Sequence, residues 1–244
     1  KYYRNHEAEN IYMKNVVVFG SSGALGSPIC CELESLDYKL IKIDINGDAD
    51  KFVDATNEDE VAFLFDQLLE ENVKLHGLIN LVGKIHSHAF YNIMAKPKYI
   101  DTQDWIDQYN INLNSAFFIA KHYHRYCAKL KIKCNLINFS SICASGNPGQ
   151  IAYSSSKAAL ETMTQTLAKE LGPFGHKFNV ISPGFIDVKS TKSSMGNEKI
   201  SDIEDNTPLR KLGDVQSLAN GIHFLLTSDF VTGHILKIDG GVRI

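Results

Sequence analysis

Short β-branched and apolar runs recur along this chain, separated by stretches long enough for one helix each. The runs Val16-Val-Val-Phe19, Leu40-Ile-Lys-Ile-Asp44, Gly77-Leu-Ile-Asn-Leu-Val82, Asn135-Leu-Ile-Asn-Phe139, Phe178-Asn-Val-Ile181 and His234-Ile-Leu-Lys-Ile238 read as strands. The best-supported helix carries Leu160, Met163, Leu167 and Leu171 at spacings of three and four, and stops at Gly172-Pro173. Its apolar stripe is expected to lie on the sheet. Strand and helix alternate throughout, which predicts an α/β protein: one doubly wound parallel sheet with helices on both faces and a ligand at the carboxyl ends of the strands. Residues 1–12 read as an N-terminal extension and 13–244 as a single domain, with the polar, weakly periodic stretch from Val188 to Asn206 as a lid.

Composition narrows the classes. A chain of 244 residues with 44% hydrophobic content can bury one substantial core. Lys plus Arg total 25 against 28 Asp plus Glu, a net charge of -3, so nucleic acid is not an expected partner. Five cysteines without paired C-x-x-C spacing point to neither a disulfide framework nor a zinc site, and a reducing compartment is the simpler reading. No apolar run approaches the about 20 residues that span a bilayer. Lys1 to Tyr12 lacks the apolar core of a signal peptide. The expectation is a cytoplasmic protein with no membrane partner.

Two features then carry candidate chemistry. Gly20-Ser-Ser22-Gly23-Ala24-Leu25-Gly26 falls where the first strand turns into the first helix, the context in which glycines let backbone N–H groups approach a pyrophosphate. Asp44 ends the next strand, 18 residues after Gly26, where a carboxylate accepts hydrogen bonds from both adenosine ribose hydroxyls and repels a 2′-phosphate. NAD is therefore expected, with NADP less favoured, although Lys42 and Lys51 lie near in sequence. The second feature is Tyr153 and Lys157, four apart and so on one helix face. A charge about 4 Å away at an effective dielectric of about 20 is worth roughly 4 kcal/mol, which predicts a phenol acidified by up to roughly three pK units.

Together these residues resemble the short-chain dehydrogenase/reductase family in its compact, single-domain, Rossmann-like branch, over about Val16 to Gly241. Tyr153 and Lys157 match the family's Tyr-x-x-x-Lys. Asp54-Ala55-Thr56 resembles its adenine-contacting Asp-x-Thr, and Asn80-Leu-Val82-Gly83 its Asn-Asn-Ala-Gly. Asn112, in Trp105-Ile-Asp-Gln-Tyr-Asn-Ile-Asn-Leu113, corresponds to its active-site Asn. Pro183-Gly184-Phe-Ile186 corresponds to its Pro-Gly turn below the nicotinamide. The tail Pro208-Leu-Arg-Lys-Leu-Gly213, with Thr232-Gly233 and Asp239-Gly-Gly241, resembles the ketoacyl-carrier-protein reductases. Ala24 stands at one expected glycine, Leu81 and Val82 replace Asn and Ala, and Val188 stands where many relatives have Thr. For the catalytic serine, counting back from Tyr153 gives Ser140. Strand register gives Ser141 and is favoured, because a one-residue slip exchanges faces.

The resemblance implies an oxidoreductase that transfers a hydride between NAD(H) and a small alcohol or carbonyl substrate. Tyr153 would be the general acid or base and the serine a donor to the substrate oxygen. Lys157 would lower the Tyr153 pKa and hold ribose hydroxyls. Asn112, by its side chain or a local helix distortion, would hold a water leading to Lys157. A homotetramer or homodimer is implied as well. Rival readings are a non-catalytic NAD sensor or scaffold, and an NAD-using epimerase or dehydratase suggested by the glycine spacing. No metal is expected: His86 and His88 read as a solvated pair rather than as contacts for substrate or metal. Lys121, Arg125, Lys129, Lys131 and Lys133 read as a solvated helix face rather than as a dock for an acidic carrier protein.

Overall fold

The computed structural model describes residues 14–94, 96, 99–189, 191 and 196–242. Its strands are β1 (Lys14–Phe19), β2 (Tyr38–Asp44), β3 (Lys51–Phe52), β4 (Leu75–Asn80), β5 (Asn135–Phe139), β6 (Lys177–Pro183) and β7 (Ile235–Ile238). They form one parallel sheet in the order β3-β2-β1-β4-β5-β6-β7. The helices are α1 (Gly26–Ser35), α2 (Glu58–Glu70), α3 (Thr102–Tyr109), α4 (Ser115–Leu130), α5 (Ile151–Leu171), α6 (Asn197–Asn206) and α7 (Val215–Thr227).

Successive side chains on β1 point to opposite faces and build a core on each. Val17 and Phe19 pack with Leu64, Phe65, Tyr123 and Tyr126 of α2 and α4. Val16 and Val18 pack with Ile29 and Leu33 of α1 and with Ile222 and Leu225 of α7. This two-sided burial is why the central strands read as continuous apolar runs rather than as alternating ones. The chain runs outward from β1 to β3, then returns to lay β4 on the other side of β1, so a crevice opens at their carboxyl ends.

Sequence and structure part company in three places. The two-residue β3 is too short to leave a hydrophobic pattern. On α5 the buried positions are Ala152, Tyr153, Ser154, Ser156, Lys157, Leu160, Thr164 and Ala168, while Met163, Leu167 and Leu171 stay half-buried. That face is small and polar because α5 lies over an amide ladder: Asn80 Nδ2 donates to Asn138 Oδ1 at 3.0 Å and Asn138 Nδ2 to Thr164 Oγ1 at 3.0 Å. Within the expected lid, Asn197–Asn206 is helical, whereas residues 190 and 192–195, like the expected extension 1–12, lie outside the described residues.

Candidate active site

The turn from β1 into α1 needs its glycines. Gly20 has φ +76, and a Cβ there would lie 2.9 Å from the Leu81 carbonyl carbon. A Cβ on Gly26 would lie 1.9 Å from the Gly20 oxygen, so only glycine allows that approach. Leu25 caps α1 without a side-chain bond and the first turn holds no acid; Ser27 N is taken by Gly23 O and Pro28 has no N–H, so it is mainly the positive helix end that faces the crevice. Gly20, Gly23, Ala24, Leu25 and Gly26 all line the cavity there. At the end of β2 Asp44 is fixed in place: Oδ2 accepts from Ser22 N at 2.8 Å and Oδ1 from Ile45 N at 2.7 Å. Asp54 is turned inward on its own loop, Oδ1 accepting from Thr56 N at 2.8 Å and Thr56 Oγ1 at 2.7 Å, beside buried Ala55. The glycine cradle, the uncapped positive helix end and the strand-end carboxylate fit a dinucleotide.

On the far side of the crevice, Asn80 Oδ1 accepts from Val82 N at 3.1 Å and shapes the chain into Gly83. A Cβ on Gly83 would lie 3.0 Å from Asn112 Oδ1 and 3.1 Å from Lys157 Nζ, so the backbone passes directly against both. Asn112 sits in a π-helical turn, Asn110–Asn114, between α3 and α4. Its side chain is spent on backbone, accepting from Lys84 N at 2.9 Å and donating to Lys84 O at 3.0 Å. Of the two expected ways for Asn112 to act, the helix distortion is the one this arrangement leaves open. Pro183, Gly184 and Ile186 form the floor, with Gly184 N donating to Ile238 O at 2.9 Å.

The consecutive serines separate. Ser140 also borders the cavity, but its Oγ donates to Glu161 Oε1 at 2.7 Å. Ser141 Oγ accepts from Cys143 N at 3.2 Å, and Ser141 lines the cavity with Tyr153, whose phenol it draws down in pKa. Burial pushes the Tyr153 phenol up to about 12, and Ser141 offsets only part of that. The expected acidification by Lys157 is therefore corrected. Lys157 Nζ lies 5.9 Å from the ring centre and donates to the Phe139 carbonyl at 2.7 Å. Its own burial pulls it down to about 8, with Glu161 opposing the fall. Loss of hydration thus outweighs attraction on both groups.

A cavity of about 470 Å³ joins the glycine turn to Ser141, Tyr153 and Lys157. Beyond these, its lining holds apolar Ile85, Ile142, Phe185 and Val188 together with polar Asn147 and Gln150. Sequence reasoning missed Phe139, whose contribution is a backbone oxygen, and Gln108, whose Oε1 accepts from Asn112 Nδ2 at 3.3 Å; one turn of spacing before Asn112 was the available signal. The basic helix face has partly exposed acidic partners on α2. Lys121 pairs with Glu58 at 2.7 Å, Arg125 with Asp66 at 2.8 Å and Lys129 with Asp66 at 3.8 Å, so α2 neutralises much of that face. His86 and His88 converge on Asp104. Among the described residues, no helix is long and apolar enough to cross a membrane.

A family model described as enoyl-(acyl carrier protein) reductase matches residues 40–243. A 3-oxoacyl-[acyl-carrier-protein] reductase from Buchnera aphidicola is 31% identical over 193 residues, 78% of this chain and 75% of its own length. A 4-hydroxyisoleucine dehydrogenase complexed with NADH superposes with a TM-score of 0.83 at 25% identity, covering 93% of this chain and 98% of its own. ElxO with NADP bound gives 0.81 at 25% identity, covering 94% and 98%.

Proposed function

As this chain belongs to the short-chain dehydrogenase/reductase family and is an oxidoreductase, we propose that it reduces the ketone of an apolar-tailed substrate, with Tyr153 as proton donor and Ser141 as second donor to the substrate oxygen. The observation that carries this reading is the placement of Ser141, Tyr153 and Lys157 together on the wall of the cavity that begins at the glycine turn. The bound nicotinamide supplies the hydride. A phenol pushed up to about 12 is protonated at neutral pH, so it is ready to give its proton to a developing alkoxide. Lys157 and the Asn112 turn return that proton from solvent and hold the ribose. Asn80, Val82, Gly83, Pro183, Gly184 and Ile186 position the nicotinamide half, while Asp54 and Ala55 border the adenine.

NAD(H) is the proposed choice within the nicotinamide dinucleotides. Its support is the fixed Asp44 carboxylate, followed by Ile45 rather than a cation. The apolar residues of the cavity lining, with the name of the Buchnera relative, favour a 3-oxoacyl thioester as substrate. We also propose a cytoplasmic location, on five unpaired thiols, and a homotetramer or homodimer, on the unpaired outer edge of β7 and exposed Ile106 and Phe117. Mixing the protein with NADH and acetoacetyl thioester tests the activity. Loss of NADH absorbance supports it; a flat trace with this substrate and across a carbonyl panel overturns it. Light scattering after gel filtration reads the assembly.

A further inference from the structure

His86 and His88 follow the Gly83 turn with one residue between them, so in extended chain both rings leave the same side. Asp104, in the first turn of α3, faces them. His88 Nδ1 and Asp104 Oδ2 are 3.5 Å apart, the imidazole rings stand at 85° with centres 6.0 Å apart, and one donor atom from each of the three residues lies within 4.8 Å of the others. Donor atoms sharing one tetrahedral Zn²⁺ at about 2.0–2.2 Å each sit about 3.3–3.6 Å apart, so side-chain shifts of about an ångström close the set.

We propose that His86, His88 and Asp104 form a divalent transition-metal site at the rim of the substrate cavity, of a kind that takes Zn²⁺. Two imidazoles and a carboxylate with no thiolate suit a borderline cation such as Zn²⁺ or Co²⁺, and three ligands leave a fourth position for water. The ligands come from two elements, the loop after β4 and α3, and that loop is a wall of the cavity. Ile85 lines it, His86 N donates to Gln108 Oε1 at 3.4 Å, and Ser87 Oγ accepts from Gln150 Nε2 at 3.3 Å. Two long hydrogen bonds, on half-buried His86 and exposed Ser87, hold this wall beyond Lys84, and a metal bridging it to α3 fixes its position. The metal takes no part in hydride or proton transfer.

Titration calorimetry of the full chain with ZnCl₂ tests the site, alongside His88→Ala, Asp104→Asn and, as a control for other surface imidazoles, His234→Ala. One equivalent is expected to bind to the unmutated protein and to His234→Ala, with affinity falling about tenfold or more in each site variant. Hydrogen exchange at residues 84–90 is expected to slow on adding Zn²⁺ to the unmutated protein and to stay unchanged in His88→Ala. Absence of binding, or binding that the His88 and Asp104 substitutions leave intact, overturns the proposal. Binding without slower exchange overturns the claim that it fixes the wall. None of these readouts depends on turnover.

Discussion

Ser140 and Ser141 are adjacent in the chain, yet Ser140 Oγ donates to Glu161 Oε1 at 2.7 Å while Ser141 Oγ accepts from Cys143 N at 3.2 Å beside Tyr153 in the cavity lining. Extended backbone at Ser141, φ -162 and ψ 153, sends the two side chains to opposite sides. Their substitutions therefore have different signatures. Ser141→Ala is expected to lower kcat about a hundredfold with little change in stability, as for loss of one donor to a developing oxyanion. Ser140→Ala is expected to keep most activity and to cost about 2 kcal/mol, because it strips a charged partner of its buried donor. Steady-state kinetics and urea unfolding on both variants check this; the reverse pattern assigns the role to Ser140.

Lys157 is held as a buried cation, and burial lowers its pKa from 10.5 to about 8. Between those values the unfolded chain binds more protons than the native one, so stability rises with pH across that window; below it, the cost of the buried charge is present in full. Lys157→Met removes the charge. Its unfolding free energy relative to the unmutated protein is expected to fall by about 3 kcal/mol from pH 7 to pH 10.5. Urea unfolding at several pH values reads this difference, and a gap independent of pH would mean that the ammonium is hydrated.

Asp44 is expected to discriminate between dinucleotides as well as to hold Ser22. Fluorescence titration should show NADH binding more tightly than NADPH, and Asp44→Ala should move that ratio at least about tenfold toward NADPH, about 1.4 kcal/mol. Equal affinities in the unmutated protein contradict the NAD assignment.

Gly26→Ala places a methyl group where only 1.9 Å separates it from the Gly20 oxygen. Weakening of NADH binding by about tenfold or more is expected, with far-ultraviolet circular dichroism preserved. Unchanged affinity would show that the turn does not cradle the cofactor.

How much of this was legible in the sequence depends on what each feature needs. The parallel sheet was, because β1, β4, β5 and β6 are buried on both faces and so carry mainly apolar runs, broken by buried residues such as Asn80, Asn138 and Asn179. The glycines and Asp44 were, because a close approach and a strand-end carboxylate constrain residue type. The buried face of α5 was not: Thr164 and Ala168 are chosen to fit the Asn80–Asn138 ladder, a contact between residues 58 apart in the chain. The sign of the Tyr153 shift was missed for the same reason. Spacing gives the distance to Lys157 but not the burial of both groups or the Phe139 carbonyl that holds the ammonium.

The central claim is that the Tyr153 hydroxyl supplies the proton. Turnover of NADH with acetoacetyl thioester by Tyr153→Phe, beside direct titration of NADH binding, measures it most directly. About a thousandfold loss of kcat with NADH affinity preserved is the expected result. Turnover within about tenfold of the unmutated protein, with binding intact, would contradict it.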